Sequence, residues 1–349
     1  MTASTLLGRR LSMPYALLLP LLPLGTLTLF GFWLERPVYR IPEQFPLWAF
    51  FFGLPHIVSS FQSMCDGQYL VAYRPRIAPI LGIVFLPLLL SAAGVPASLL
   101  FAGVLVLTQH HVVAQQFGLS MAVAQMRPTL LLSLCKWSTL TLGVVAAFMT
   151  YAATEFDGTA QFAVLTGLAS GVSVPLLILI LASGALLVWR SRTNCAGAII
   201  FAMNILSFAT ALFLIFHTRY ALAGLMLVRI LHDVSGFVVY IGHDTARNKP
   251  RRCNLLYRAF PFLPIWLLNL AFAIGLAATL TLCANRMAWI GWVVTGITLA
   301  HYYMESFIWR GPTPHRQHFR FTQAPKSVCH ARMSQGSSLG SGAPGPGVG

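Results

Sequence analysis

His56, the pair His110–His111, His232 and His301 all fall inside apolar stretches of this 349-residue chain. Imidazole is costly in hydrocarbon, so histidines within membrane helices face a bundle interior and mark a site. Several imidazoles at one depth could form a metal centre. His301 and Glu305 are i,i+4 and share a helix face, a spacing that can chelate one ion. His111 and Gln115 are also i,i+4, so Gln115 is placed to orient the His111 imidazole. His110 and His111 point about 100° apart on a helix, so they serve two ions, or one of them supports the other. Asp233 follows His232 and points elsewhere. It is i,i+4 from Arg229, and the two read as a structural ion pair that could shape the site from behind the ligands. A donor set of imidazole and carboxylate without thiolate suits iron, zinc, copper or manganese. Buried between helices with open positions, it most resembles a non-haem iron site that activates dioxygen. The six cysteines are scattered, with no CxxC spacing, and read as apolar filler or free thiols. His243 and Asp244 read as interfacial. His315, His318 and His330 lie in a basic tail and read as solvated.

The elements that must hold these residues are membrane helices. Of the chain, 57% is hydrophobic and 9% charged, and its mean hydropathy is +0.73. Soluble domains carry about 25% charged residues. The fold expected is all-α, a polytopic transmembrane helix bundle of about ten spans, with eight also compatible. The candidates run near 15–34, 45–62, 77–94, 97–125, 129–153, 162–189, 196–217, 221–243, 261–283 and 287–309. Arg9 and Arg10 precede the first, which reads as a retained helix and not a cleaved signal. Pro175 is expected to kink the sixth. At 1.5 Å per residue, His56, His110, His232 and His301 lie ~16, ~20, ~17 and ~21 Å from the outer ends of their spans. The spread is about one helical turn. His217 falls at the outer end of the seventh span, away from this layer.

The formal charge is +15. Lys and Arg concentrate in alternate loops: Arg74 and Arg76, Arg127, Arg190 and Arg192, the stretch 247–258, and the tail to Arg332. The opposite loops hold only Arg36, Arg40, Arg219 and Arg286. By the positive-inside rule both termini are cytoplasmic. Residues 1–310 form the transmembrane domain, and 311–349 a basic, then disordered, cytoplasmic tail ending in a Gly/Ser/Pro-rich run. The basic segments are expected to lie against anionic headgroups, and no nucleic-acid partner is expected.

Four stretches carry a resemblance: LPHIVSSF (54–61), QHHVVAQQFG (109–118), FHTRY (216–220) and HYYMESFIWR (301–310). As a set they resemble histidine-rich multi-pass bacterial membrane proteins with an HHxxxQxxG motif, an HxxQY-like motif and a late HxxxDxxIWR motif. These are distantly similar to the Brp/Blh-type carotene dioxygenases. The resemblance implies the bacterial inner membrane and iron held by His56, His110, His111, His217 and His301. Glu305 stands in place of the late Asp and Arg219 in place of Gln. It also implies an apolar substrate, a carotenoid or lipid. The HxxHH boxes of desaturases are absent. Two other functions fit the composition. One is a proton- or ion-coupled transporter using His232, Asp233, Arg229 and Glu305. The other is a non-catalytic membrane component. The oligomeric state is not encoded in any motif.

Overall fold

The computed structural model describes residues 53–318, apart from 157, 219, 250 and 312. The expected first span, the start of the second, and the tail beyond 318 lie outside those residues. The described chain folds into twelve helices: α1 (Leu54–Ser63), α2 (Gly67–Ala72), α3 (Arg74–Ala92), α4 (Ala97–Ala124), α5 (Leu130–Phe156), α6 (Ala160–Arg190), α7 (Cys195–His217), α8 (Ala221–Asn248), α9 (Leu255–Arg258), α10 (Ile265–Ala284), α11 (Ala288–Ile308) and α12 (Pro314–His318). No strand occurs among the described residues. Helix satisfies every backbone N–H and C=O within its own segment, which hydrocarbon demands. Short polar residues start several helices. Asp66 caps α2, Thr159 caps α6, Asn194 caps α7 and Asn254 caps α9, each accepting a backbone N–H of the first turn. α6 continues through Pro175.

Seven of the described helices are long and apolar enough to cross a membrane: α3, α4, α5, α6, α7, α8 and α10. They also leave many large apolar side chains exposed, among them Leu81, Leu89, Val172 and Ile178. A surface of this kind belongs in lipid. The chain is therefore a multi-pass membrane protein. The expected last span forms as α11, but polar Thr298, His301, Tyr302, Tyr303 and Glu305 interrupt its apolar run, and it is not one of the seven.

α8 is the hub. Its apolar stretch is 78% buried, against 6% for α3. α8 packs against α1, α4, α7 and α10. α11 lies along α3 and also touches α1 and α4. The contacts α1–α8, α8–α4, α4–α11 and α11–α1 close a cycle of four helices. On the far side of α4, helices α5, α6 and α7 pack around Cys135, Leu142, Ile180, Phe201 and Phe208. At the end of α8, the basic stretch turns two arginines onto the protein itself. Arg247 pairs with Asp66 at 2.9 Å, and Arg252 donates to the carbonyls of Tyr257, Phe260 and Leu263 at 2.7–3.0 Å.

Candidate metal centre

The four-helix cycle encloses four imidazoles. His56 comes from α1, His232 from α8, His111 from α4 and His301 from α11, and all are buried. Neighbouring rings meet edge to face around the cycle. Centroids are 4.9 Å apart for His56–His232, 5.0 Å for His232–His111, 5.0 Å for His111–His301 and 5.1 Å for His301–His56. The order of rings repeats the order of helix contacts.

Two buried carboxylates flank the ring. Asp233 Oδ1 lies 3.0 Å from His56 Nδ1 and 4.0 Å from His232 Nε2. Glu305 Oε2 lies 3.6 Å from His111 Nε2, and Oε1 lies 3.9 Å from His301 Nε2. None of these four contacts has hydrogen-bond geometry. His56 Nδ1 and Nε2, His111 Nε2, His232 Nδ1 and His301 Nε2 are all buried with no hydrogen-bond partner. Leaving a buried polar atom unsatisfied costs about 1–3 kcal/mol, and here five such atoms belong to four rings in mutual contact. A cation among them would satisfy the lone pairs and the carboxylates together. The donors form two groups that could hold a metal ion, His56–His232–Asp233 and His111–His301–Glu305. Within each, the ligand atoms lie within 4.8 Å of one another.

The surroundings fix several donors. Ser60 Oγ donates to the Ile57 carbonyl at 2.6 Å and lies 2.8 Å from His301 Nδ1. One hydroxyl carries one proton, so His301 Nδ1 is the donor to Ser60 and Nε2 keeps its lone pair toward Glu305. The Tyr240 hydroxyl donates to Glu305 Oε1. The Gly53 amide donates to Asp233 Oδ2 at 2.7 Å. Gly53 holds φ at 66°, a left-handed conformation that glycine adopts without steric cost and that aims this amide at the carboxylate. Gly236, one turn beyond His232 on α8, faces the His56 ring. A Cβ there would sit 3.1 Å from His56 Cδ2, so glycine lets α1 approach α8. His111 stacks on Tyr302 with centroids 4.1 Å apart, and Tyr302 donates to Thr108 at 3.0 Å.

Of the residues singled out in the sequence, the structure brings together His56, His111, His232, His301, Glu305 and Asp233. Asp233 faces the histidines and the Gly53 amide. His110 is exposed beside Trp137, with ring centroids 6.4 Å apart. The 100° between successive helical residues turns it away from the ring that His111 joins. His217 ends α7 and bonds through Nε2 to Ser173 Oγ at 2.8 Å, outside both groups. No hydrogen bond joins Gln115 to His111, and the Gln115 carboxamide oxygen is without a partner. Arg229 lies one turn before Asp233 on α8.

A second histidine cluster escaped the sequence reading. The tail residue His315, expected to be solvated, is buried on α12 and stacks on His243 with centroids 4.7 Å apart. It also stacks on Tyr69, and its Nδ1 lies 3.1 Å from the Tyr73 hydroxyl. His243, expected at the interface, is likewise buried. It contacts Asp244 at 2.9 Å and the Tyr69 hydroxyl at 3.1 Å. Asp244 accepts in addition from Ser63, Asn269 and Tyr257. This network docks α12, α2 and α9 onto the end of α8.

No family model, no curated protein and no solved structure matches the chain. Its function is therefore argued from the site.

Proposed function

We propose that this protein is a membrane-embedded non-haem metal oxidoreductase, with iron as its metal and an apolar molecule such as a carotenoid or lipid as its substrate. The observation that carries the reading is the meeting of four buried imidazoles, with nitrogens that lack partners, and two carboxylates inside the four-helix cycle. The likeness of LPHIVSSF, QHHVVAQQFG, FHTRY and HYYMESFIWR to the motifs of histidine-rich bacterial membrane proteins, themselves distantly similar to carotene dioxygenases, supports the choice of substrate class and a bacterial inner-membrane location.

The residues divide the work. His56, His232 and Asp233, with His111, His301 and Glu305, would hold the metal. Two imidazoles and one carboxylate are the donor set of oxygen-activating non-haem iron sites, in which part of the coordination sphere stays open. Bound iron would supply the binding and activation of dioxygen for oxidising an apolar substrate. Ser60 keeps the His301 lone pair on Nε2. Tyr240 holds Glu305 Oε1, which also lies toward His301, and leaves Oε2 toward His111, while the Gly53 amide holds Asp233 Oδ2 and leaves Oδ1 toward His56. Tyr302 covers one face of His111 and keeps water from it. Exposed apolar flanks on α3 and α4, including Leu86, Phe101 and Leu107, would let a substrate approach from the bilayer.

The test is the metal content of detergent-purified protein by elemental mass spectrometry, beside a His111→Ala/His301→Ala double variant checked for monodispersity. Iron bound at near-integral stoichiometry, and reduced in amount in the double variant, is the expected result. Incubation with carotenoids and lipids under air, but not under argon, should then yield oxidised products detectable by mass spectrometry. A wild-type protein that neither carries metal nor takes it up overturns the proposal. Substrate-dependent proton flux in liposomes would in that case favour a transporter.

A further inference from the structure

The metal reading leaves open how many ions the centre holds, and the geometry bears on this. Donors on one ion at ~2.1 Å lie within ~4.2 Å of each other. The donors here fall into two groups of three, each near that limit, and each has two imidazoles and one carboxylate. Every carboxylate–imidazole contact within 4.0 Å stays inside its own group. Asp233 reaches His56 and His232, and Glu305 reaches His111 and His301. Each group is also built from its own pair of packed helices, α1 with α8 and α4 with α11. The groups touch through the ring contacts His56–His301 and His111–His232 at 5.1 and 5.0 Å. They are halves of one centre.

Resting on the metal reading, we infer that the centre is dinuclear, with one ion on His56, His232 and Asp233 and a second on His111, His301 and Glu305. Two-metal sites hold their ions about 3.5–4 Å apart, a spacing that adjoining groups of this size accommodate. Three protein donors would leave each ion open positions. The halves are not equivalent. A tyrosine hydroxyl restrains Glu305, whereas a backbone amide restrains Asp233. The two ions should therefore bind with different affinities.

Cobalt(II) is a suitable probe. The full chain, purified in detergent on an affinity tag without histidine, is stripped of metal, loaded with cobalt(II) and freed of loosely held ions. Cobalt and protein are then quantified independently. The inference expects about two ions per chain, as for the two-metal sites above, released in two resolved steps under chelator. Asp233→Asn and Glu305→Gln should each keep one. His110→Ala, which alters an exposed histidine outside both groups, should keep two. A wild-type ratio of one overturns the dinuclear inference and leaves the metal reading standing. A ratio of zero overturns both. The wild-type ratio decides the matter even where a variant fails to fold.

Discussion

Ser60 and Gly236 carry no metal donor, yet each determines how a donor is presented. Ser60 spends its only proton on the Ile57 carbonyl, so it can only accept from His301 Nδ1. Partners behind a ligating histidine typically contribute 10–100-fold in metal affinity. Ser60→Ala should weaken cobalt(II) binding by about that factor, with the stoichiometry unchanged at saturation, as read by competition titration. Gly236→Ala should separate metal binding from folding. Glycine to alanine inside a helix is worth up to about 1 kcal/mol in favour of the helix. The added methyl, however, meets the His56 ring at 3.1 Å and pushes it. The metal-free variant should unfold at the same or a higher temperature, while affinity at the His56 half falls several-fold. Equal loss of stability and of metal would instead mark Gly236 as a packing residue. At this scale the sequence was informative about residue type and depth but not about direction. It showed that His110 and His111 diverge by 100°. Which of the two faces the ring depends on how α4 is rotated in the bundle, and neighbours decide that.

A short helix packed onto the end of α8 gives the clearest pH dependence. α12 is five residues long and is docked through His315. Burial, with the positive charge of His243, His318 and Arg247 adding to it, lowers the His315 pKa from about 6.5 to about 2. The groups facing the ring are His243 and Arg247 from α8, Tyr69 and Tyr73 from α2 and its end, and His318 from α12 itself. Docked His315 is neutral, whereas undocked it titrates near its ordinary value. The undocked state therefore binds the extra proton below about pH 6.5. Docking is complete above that pH and weakens as pH falls, by up to about 1.4 kcal/mol per unit. The protection factor of the amides of residues 315–318, corrected for the intrinsic pH dependence of exchange, should fall between pH 7.5 and 5, and His315→Phe should flatten the profile. Unchanged protection in the wild type would show that α12 is held by other contacts. Nothing in the tail announces this helix. A proline and four polar residues carry no periodicity, and His315 is buried because the chain folds back onto Tyr69 and His243. The long apolar helices were legible for the opposite reason, since each exceeds the membrane length on its own residues. α11 marks the border between the two cases: its helix was predictable, but the polar residues that interrupt its hydropathy are the ones that build the site.

In the whole molecule, the histidine ring joins helices that are far apart in sequence; Ser60 and His301 alone are separated by 241 residues. Helices inside a bilayer have no hydrophobic force drawing them together, and they associate through packing and polar contacts. The α1–α8–α4–α11 cycle is therefore where bound metal should matter most for stability. Its buried nitrogens lack partners without an ion, so the metal-free cycle bears their desolvation cost, and the loaded one does not. An ion present at a hundred times its Kd stabilises the native state by about 2.7 kcal/mol per site if the unfolded chain does not bind it. Chelation should then lower the thermal unfolding temperature in detergent by several degrees, and cobalt(II) or iron(II) should restore it. His111→Ala/His301→Ala should remove about half of that response, because both imidazoles of one of the two groups are gone while α5, α6 and α7 keep their own packed core. Hydrogen exchange would locate the effect. Protection lost on chelation should concentrate in the ring-bearing stretches of α1, α4, α8 and α11 and spare α6, which supplies no donor. Uniform loss across all helices would mean that metal stabilises the fold as a single unit and that the four-helix cycle has no separate cooperativity.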